Sequence, residues 1–70
     1  MKNNIRGLRK AMKISQEELA KRSNVSRQTI NAIENNKYDP TLNLAFTIAY
    51  LLNTNVDDLF QFEIKENKRR

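Results

Sequence analysis

The sequence predicts a mainly α-helical domain: five short helices, closed by a small antiparallel β-ribbon formed by the N- and C-terminal segments. Three observations predict it. Apolar residues recur at three- and four-residue spacings in several separate segments, as on the buried stripe of a helix. A serine or threonine stands at the head of three of those segments, where its side-chain oxygen can satisfy a free backbone N–H. Near the C-terminus, Phe60, Phe62 and Ile64 alternate with Gln61, Glu63 and Lys65, the two-residue period of a half-buried strand. Seventy residues make one domain, expected over 1–66, with a basic tail at 67–70 expected to fray.

Taken in order, Met1 to Ile5 is the only extended segment left to pair with that strand. A first helix is predicted from about Asn4 to Met12, with Ile5, Leu8 and Met12 inward and Arg6, Arg9, Lys10 and Lys13 around them. Gly7 weakens this helix by about 1 kcal/mol relative to alanine, or marks the passage into it.

Ser15 to Lys37 is the most informative stretch. Ser15 can cap a second helix, Gln16 to Arg22, with Glu18 as the second half of a capping box. Ser26 can cap a third, Arg27 to about Asn35. Ser23-Asn24-Val25 must turn the chain sharply between them, and asparagine tolerates the left-handed backbone such a turn needs. Two helices joined so tightly make a helix-turn-helix, here over 15–35.

Asn36 can end the third helix in the left-handed region, and Pro40 prevents continuation. Thr41 then caps a fourth helix, Leu42 to about Leu52. Its apolar residues cover too much of the circumference for one stripe, so it is expected to be the central helix, with part of it free to meet a second subunit. After the turn Asn53-Thr54-Asn55, a fifth helix runs from Val56 to about Leu59, with Asp57 and Asp58 at its favourable end.

On the third helix, Ile30 and Ile33 share one side with Val25 preceding them, whereas Arg27, Gln28, Asn31, Ala32 and Asn35 share the other. That outward side carries no acid. Its guanidinium and amides can address base edges and phosphates. Charge is distributed to match. Residues 1–37 hold nine Lys/Arg against three Asp/Glu, residues 38–64 hold four acids and no base, and the net charge is +5. One face is thus suited to a polyanion.

With these residues placed, IRGLRKAMKISQEELAKRSNVSRQTINAIENNKYDPTLNLAFTIAYLLNTNVDDLF, residues 5–60, resembles the Xre or Cro/CI family of helix-turn-helix regulators. VSRQTINAIE, NKYDP and FQFE are similar to small stand-alone dimeric repressors of the cytolysin-operon repressor type. Asn24 departs from the family's usual glycine. The resemblance implies a five-helix Cro/CI-like, lambda-repressor-like DNA-binding domain. It also implies base contacts from Arg27 and Gln28, a phosphate clamp at Gln16, and an internal ion pair between Arg9 and Glu34; Asn31 and Ala32, further along the same face, are the other expected base contacts. Ser26, Asn35, Lys37, Tyr38 and Thr41 are the further expected phosphate contacts, with Lys10 and Lys13 adding general attraction.

The expected function is sequence-specific regulation of transcription, as a repressor bound to a palindromic duplex-DNA operator. A twofold homodimer would span half-sites about 34 Å apart. Leu51, Leu52, Val56, Leu59 and Phe60 are the candidates for the dimer surface. The alternative is an antitoxin or other protein-interaction module, since the fold alone does not separate the two.

Several classes are disfavoured. With no histidine and no cysteine, the commonest general base, thiolate nucleophile and soft metal ligands are missing. Ser15, Ser26 and Thr41 are accounted for as caps. The chain is therefore expected not to be an enzyme and to need no cofactor or metal. No effector pocket is evident, no aromatic platform for RNA is seen, and the absence of a long apolar run points to a cytoplasmic protein without a membrane partner.

Overall fold

Lys2–Asn3 (β1) and Phe60–Gln61 (β2) pair antiparallel, Lys2 opposite Gln61 and Asn3 opposite Phe60, and so tie the two ends of the fold together. Between them run α1 (Ile5–Ala11), α2 (Gln16–Ser23), α3 (Arg27–Glu34), α4 (Leu42–Leu51) and α5 (Val56–Leu59). These elements come from a computed structural model that describes residues 1–61. The five helices and the terminal ribbon are as the sequence predicts, with helix ends shifted by a residue or so. The expected continuation of the strand through Phe62 and Ile64, and the tail 67–70, lie outside the described residues.

The helices start and stop for identifiable reasons. Ser15, Ser26, Thr41 and Asn55 each accept a hydrogen bond from the backbone N–H three residues on. The first four helices share one exit. Lys13, Asn24, Asn36 and Asn53 all take the left-handed conformation, with φ of 59°, 61°, 61° and 57°. In each case the next residue's N–H reaches back to a carbonyl in the last turn: Ile14 to Arg9, Val25 to Ala20, Lys37 to Ala32 and Thr54 to Ala49. This closure satisfies carbonyls that would otherwise be orphaned. Asparagine accepts the conformation readily; at Lys13 the sequence offers no such residue.

The core joins Ile5, Leu19, Ile30, Ile33, Ile48, Leu52 and Leu59, with Ala20, Ala45 and Ala49 letting helices approach closely. Burying each large aliphatic side chain contributes roughly 1.5–3 kcal/mol. The inward stripe expected on the first helix is corrected at one end. Met12 caps that helix at 38 % exposure, and Ile14, beyond the left-handed turn at Lys13, packs against the core in its place.

The N-terminal segment also holds the end of α3. Asn3 Nδ2 donates to the Ile33 carbonyl at 2.8 Å and to Asn36 Oδ1 at 3.3 Å, while the Met1 ammonium meets Asp39 at 3.3 Å.

Candidate nucleic-acid interface

The helix-turn-helix is fixed first by its caps and its turn. Ser15 Oγ accepts from the Glu18 N–H at 3.0 Å, and Ser26 Oγ from the Thr29 N–H at 3.1 Å. The reciprocal half of the expected capping box is absent: the Glu18 carboxylate instead takes Arg22 Nε at 2.8 Å, one helical turn on. An i,i+4 ion pair competes better here than a return to the Ser15 backbone. Asn24 turns the chain, and Ile30 and Ile33 anchor α3 in the core.

This anchoring turns the opposite side of α3 to solvent. Arg27, Gln28, Asn31 and Asn35 are exposed and Ala32 is half-buried. Gln16, at the start of α2, joins Arg27, Gln28 and Asn31 around one shallow depression, so the starts of both helices converge there. Along the flank, Ser26, Lys37, Tyr38 and Thr41 are exposed, with the Ser26 and Thr41 oxygens engaged as caps. Tyr38 and Thr41 line a second, larger cleft with Thr29 and Asn43.

Beneath the exposed face lies a charged network. Arg9 Nε donates to Glu34 Oε2 at 2.7 Å and Arg9 Nη2 to Oε1 at 3.2 Å, with Nη1 on the Ile14 carbonyl at 3.0 Å. The Glu34 side chain is fully buried, and that of Arg9 is 9 % exposed. Burial pushes the Glu34 carboxyl up. Hydrogen bonds from Arg9, Gln16 and Arg6, together with the Arg9 charge, outweigh that and hold it below its ordinary value. The only acid of α3 is thereby turned inward and neutralised, away from any polyanion.

Two members of the network change the sequence reading. Gln16 Nε2 donates to Glu34 Oε1 at 3.0 Å and to Asn31 Oδ1 at 3.2 Å. With both amide protons engaged, its side chain has no donor left for a phosphate in this geometry; the unpaired first-turn N–H groups of α2 remain. Arg6, which sequence reasoning treated only as a flanking base, donates to Glu34 Oε1 at 3.4 Å and to Asn35 Oδ1 at 3.1 Å. Its position three residues before Arg9, on the same helical side, was the available signal.

The proposed dimer surface needs correction. Leu52, Leu59 and Phe60 are spent on the chain's own core and have no surface to offer a partner, and Leu51 and Val56 are half-buried against it. Among the described residues the most exposed large apolar groups are Leu42, Phe46 and Tyr50, at 70 %, 58 % and 80 % exposure. Spaced four apart, they form one stripe along α4. Among the described residues no helix is long and apolar enough to cross a membrane, and no cluster of acidic side chains could hold a metal ion.

The helix-turn-helix family model matches residues 5–59, nearly all of the described chain. The chain belongs to the Xre/Cro-CI type of this helix-turn-helix family. An uncharacterized HTH-type transcriptional regulator of Methanocaldococcus jannaschii is 48 % identical over 66 residues, covering 94 % of this chain and 100 % of that protein. The uncharacterized HTH-type transcriptional regulator YgzD of Bacillus subtilis is 40 % identical, covering 90 % and 96 %. The solved restriction-modification controller protein C.AhdI of Aeromonas hydrophila superposes with a TM-score of 0.73 at 30 % identity, over 80 % of this chain and 85 % of that one. In this family the two-helix unit is a DNA-binding module. This helix-turn-helix protein is accordingly a DNA-binding transcriptional regulator and not an enzyme.

Proposed function

We propose that the protein is a repressor that binds a palindromic duplex operator as a homodimer, with α3 in the major groove. The observation that carries this reading is the exposed, acid-free side of α3, bearing Arg27, Gln28, Asn31 and Asn35 while Glu34 is tied inward to Arg9. Gln28 is suited to adenine and Arg27 to guanine or a phosphate, and the Ala32 methyl to a thymine methyl. Lys37, Tyr38, Thr41, Ser26, Asn35 and the backbone N–H groups at Gln16 would meet phosphates and set the register. Occupying a promoter is enough to exclude polymerase, so repression asks nothing beyond binding.

The dimer surface in this reading is the α4 stripe of Leu42, Phe46 and Tyr50, because an apolar row of this kind is costly to leave in water. A second reading, an antitoxin-like module, is favoured by the same stripe, which a different protein could cover. Selection of bound sequences from random duplex DNA, with stoichiometry measured on the winner, tests the proposal. A palindrome holding two chains supports it; no enrichment at moderate salt overturns it.

A further inference from the structure

Two hydrogen-bond chains meet on a single atom of the reading face, and each has only one possible polarity. The first starts at Glu34, whose ionised carboxylate can only accept. Gln16 must therefore turn its Nε2 toward Glu34 (3.0 Å), and the second proton of that nitrogen goes to Asn31 Oδ1 at 3.2 Å. The second starts at Arg6, whose guanidinium can only donate. Asn35 must therefore offer Oδ1 to Arg6 Nη2 (3.1 Å), which leaves its Nδ2 to donate to Asn31 Oδ1 at 3.3 Å. Both lone pairs of the Asn31 carbonyl oxygen are thus engaged from within the protein. Among the described residues nothing accepts from Asn31 Nδ2, and Asn31 is exposed beside Arg27 and Gln28.

We infer that Asn31 is a specificity-determining residue wired as a hydrogen-bond donor, which reads an acceptor edge in the major groove and favours guanine. This rests on the DNA-reading role proposed above for α3. An unconstrained asparagine pairs bidentately with adenine, accepting from N6 and donating to N7. Asn31 cannot accept from N6 without giving up a bond to Gln16 or Asn35. Its two free amide protons match guanine, whose N7 and O6 both accept. Adenine N7 and thymine O4 each offer one acceptor, and cytosine offers only its N4 donor. Gln16 and Asn35 act as positioning residues, and the recognition code at this base pair is set from beneath the helix.

The test is selection from random duplexes with the wild-type chain, Asn31→Asp, and the double variant Gln16→Ala/Asn35→Ala, with each fold checked by circular dichroism. The aspartate keeps the shape and still accepts from Gln16 and Asn35, but presents an acceptor outward. At one base pair per half-site, the wild type should prefer guanine over cytosine by about tenfold. Asn31→Asp should reverse that preference at this position alone, and the double variant should admit adenine there. Selective binding in which no position responds to Asn31→Asp, or a wild-type adenine preference at the responding position, overturns the inference while leaving the regulator reading intact. If the wild type enriches no sequence at all, the regulator reading fails and this inference falls with it.

Discussion

Arg9 of α1 holds Glu34 of α3 through two hydrogen bonds, the shorter at 2.7 Å, beneath the surface that faces outward. Removing one partner of a buried pair leaves the other charged and poorly solvated, typically at a cost of 3–5 kcal/mol. Glu34 retains Arg6 and Gln16, which places Arg9→Met near the low end, about 3 kcal/mol by urea denaturation. Arg9→Met/Glu34→Leu should recover most of that loss. A loss below about 1 kcal/mol for the single variant would show the pair to be worth no more than a surface contact.

Acid should act through the same carboxylate. The folded-state value of Glu34 lies below the ordinary 4.5, so its contribution is complete above that pH and fades as pH falls through the lower folded value. The stability difference between wild type and Glu34→Gln should therefore be widest above about pH 5 and shrink steadily below pH 4. A gap that stays constant across that range would contradict the assignment.

Two backbone positions hold residues that the local geometry does not favour. Gly7 sits inside α1, where an added methyl group would meet nothing within 4 Å, and Lys13 holds φ at 59°. Gly7→Ala and Lys13→Gly should each stabilise the fold by about 0.5–1 kcal/mol, the first through helix propensity and the second by relieving left-handed strain. Thermal denaturation of the two variants and their combination checks both values. A methyl added at Gly7 touches nothing, Lys13 included, so the gains should add.

The α4 stripe makes a prediction about assembly. Phe46→Glu puts a charge at its centre, at a position exposed in the single chain, so it should leave the fold intact while shifting sedimentation from two chains to one. Affinity for a two-half-site duplex should fall far more than for one half-site. An unchanged dimer would move the interface elsewhere.

Much of this was legible because local chemistry dominates a short helical chain. The caps at Ser15, Ser26 and Thr41, the turn at Asn24 and the exit at Asn36 each follow from one residue's own preferences. So did the exposed side of α3, which periodicity separates from Ile30 and Ile33. What periodicity cannot give is competition between partners. Glu18 had two possible uses, and Arg22 took it. Gln16 reads in sequence as a free first-turn amide, and only the fold brings Glu34 and Asn31 beside it. On α4 and beyond, apolar residues lie on so many sides that the sequence cannot say which are core. Leu52, Leu59 and Phe60 went inward, and Leu42, Phe46 and Tyr50 were left outside. Lys13 turns left-handed because Ile14 must reach the core, a tertiary demand that no local signal announces.

The central claim is that α3 reads bases while its flank holds the backbone. Binding of Gln28→Ala and Lys37→Ala to the selected operator and to a scrambled duplex, over a range of salt, tests it most directly. Gln28→Ala should lose about 1–3 kcal/mol on the operator alone and relax preference at one base pair. Lys37→Ala should weaken both duplexes alike and reduce the salt slope by about one. Equal losses on both duplexes for Gln28→Ala would contradict the base-reading role of α3.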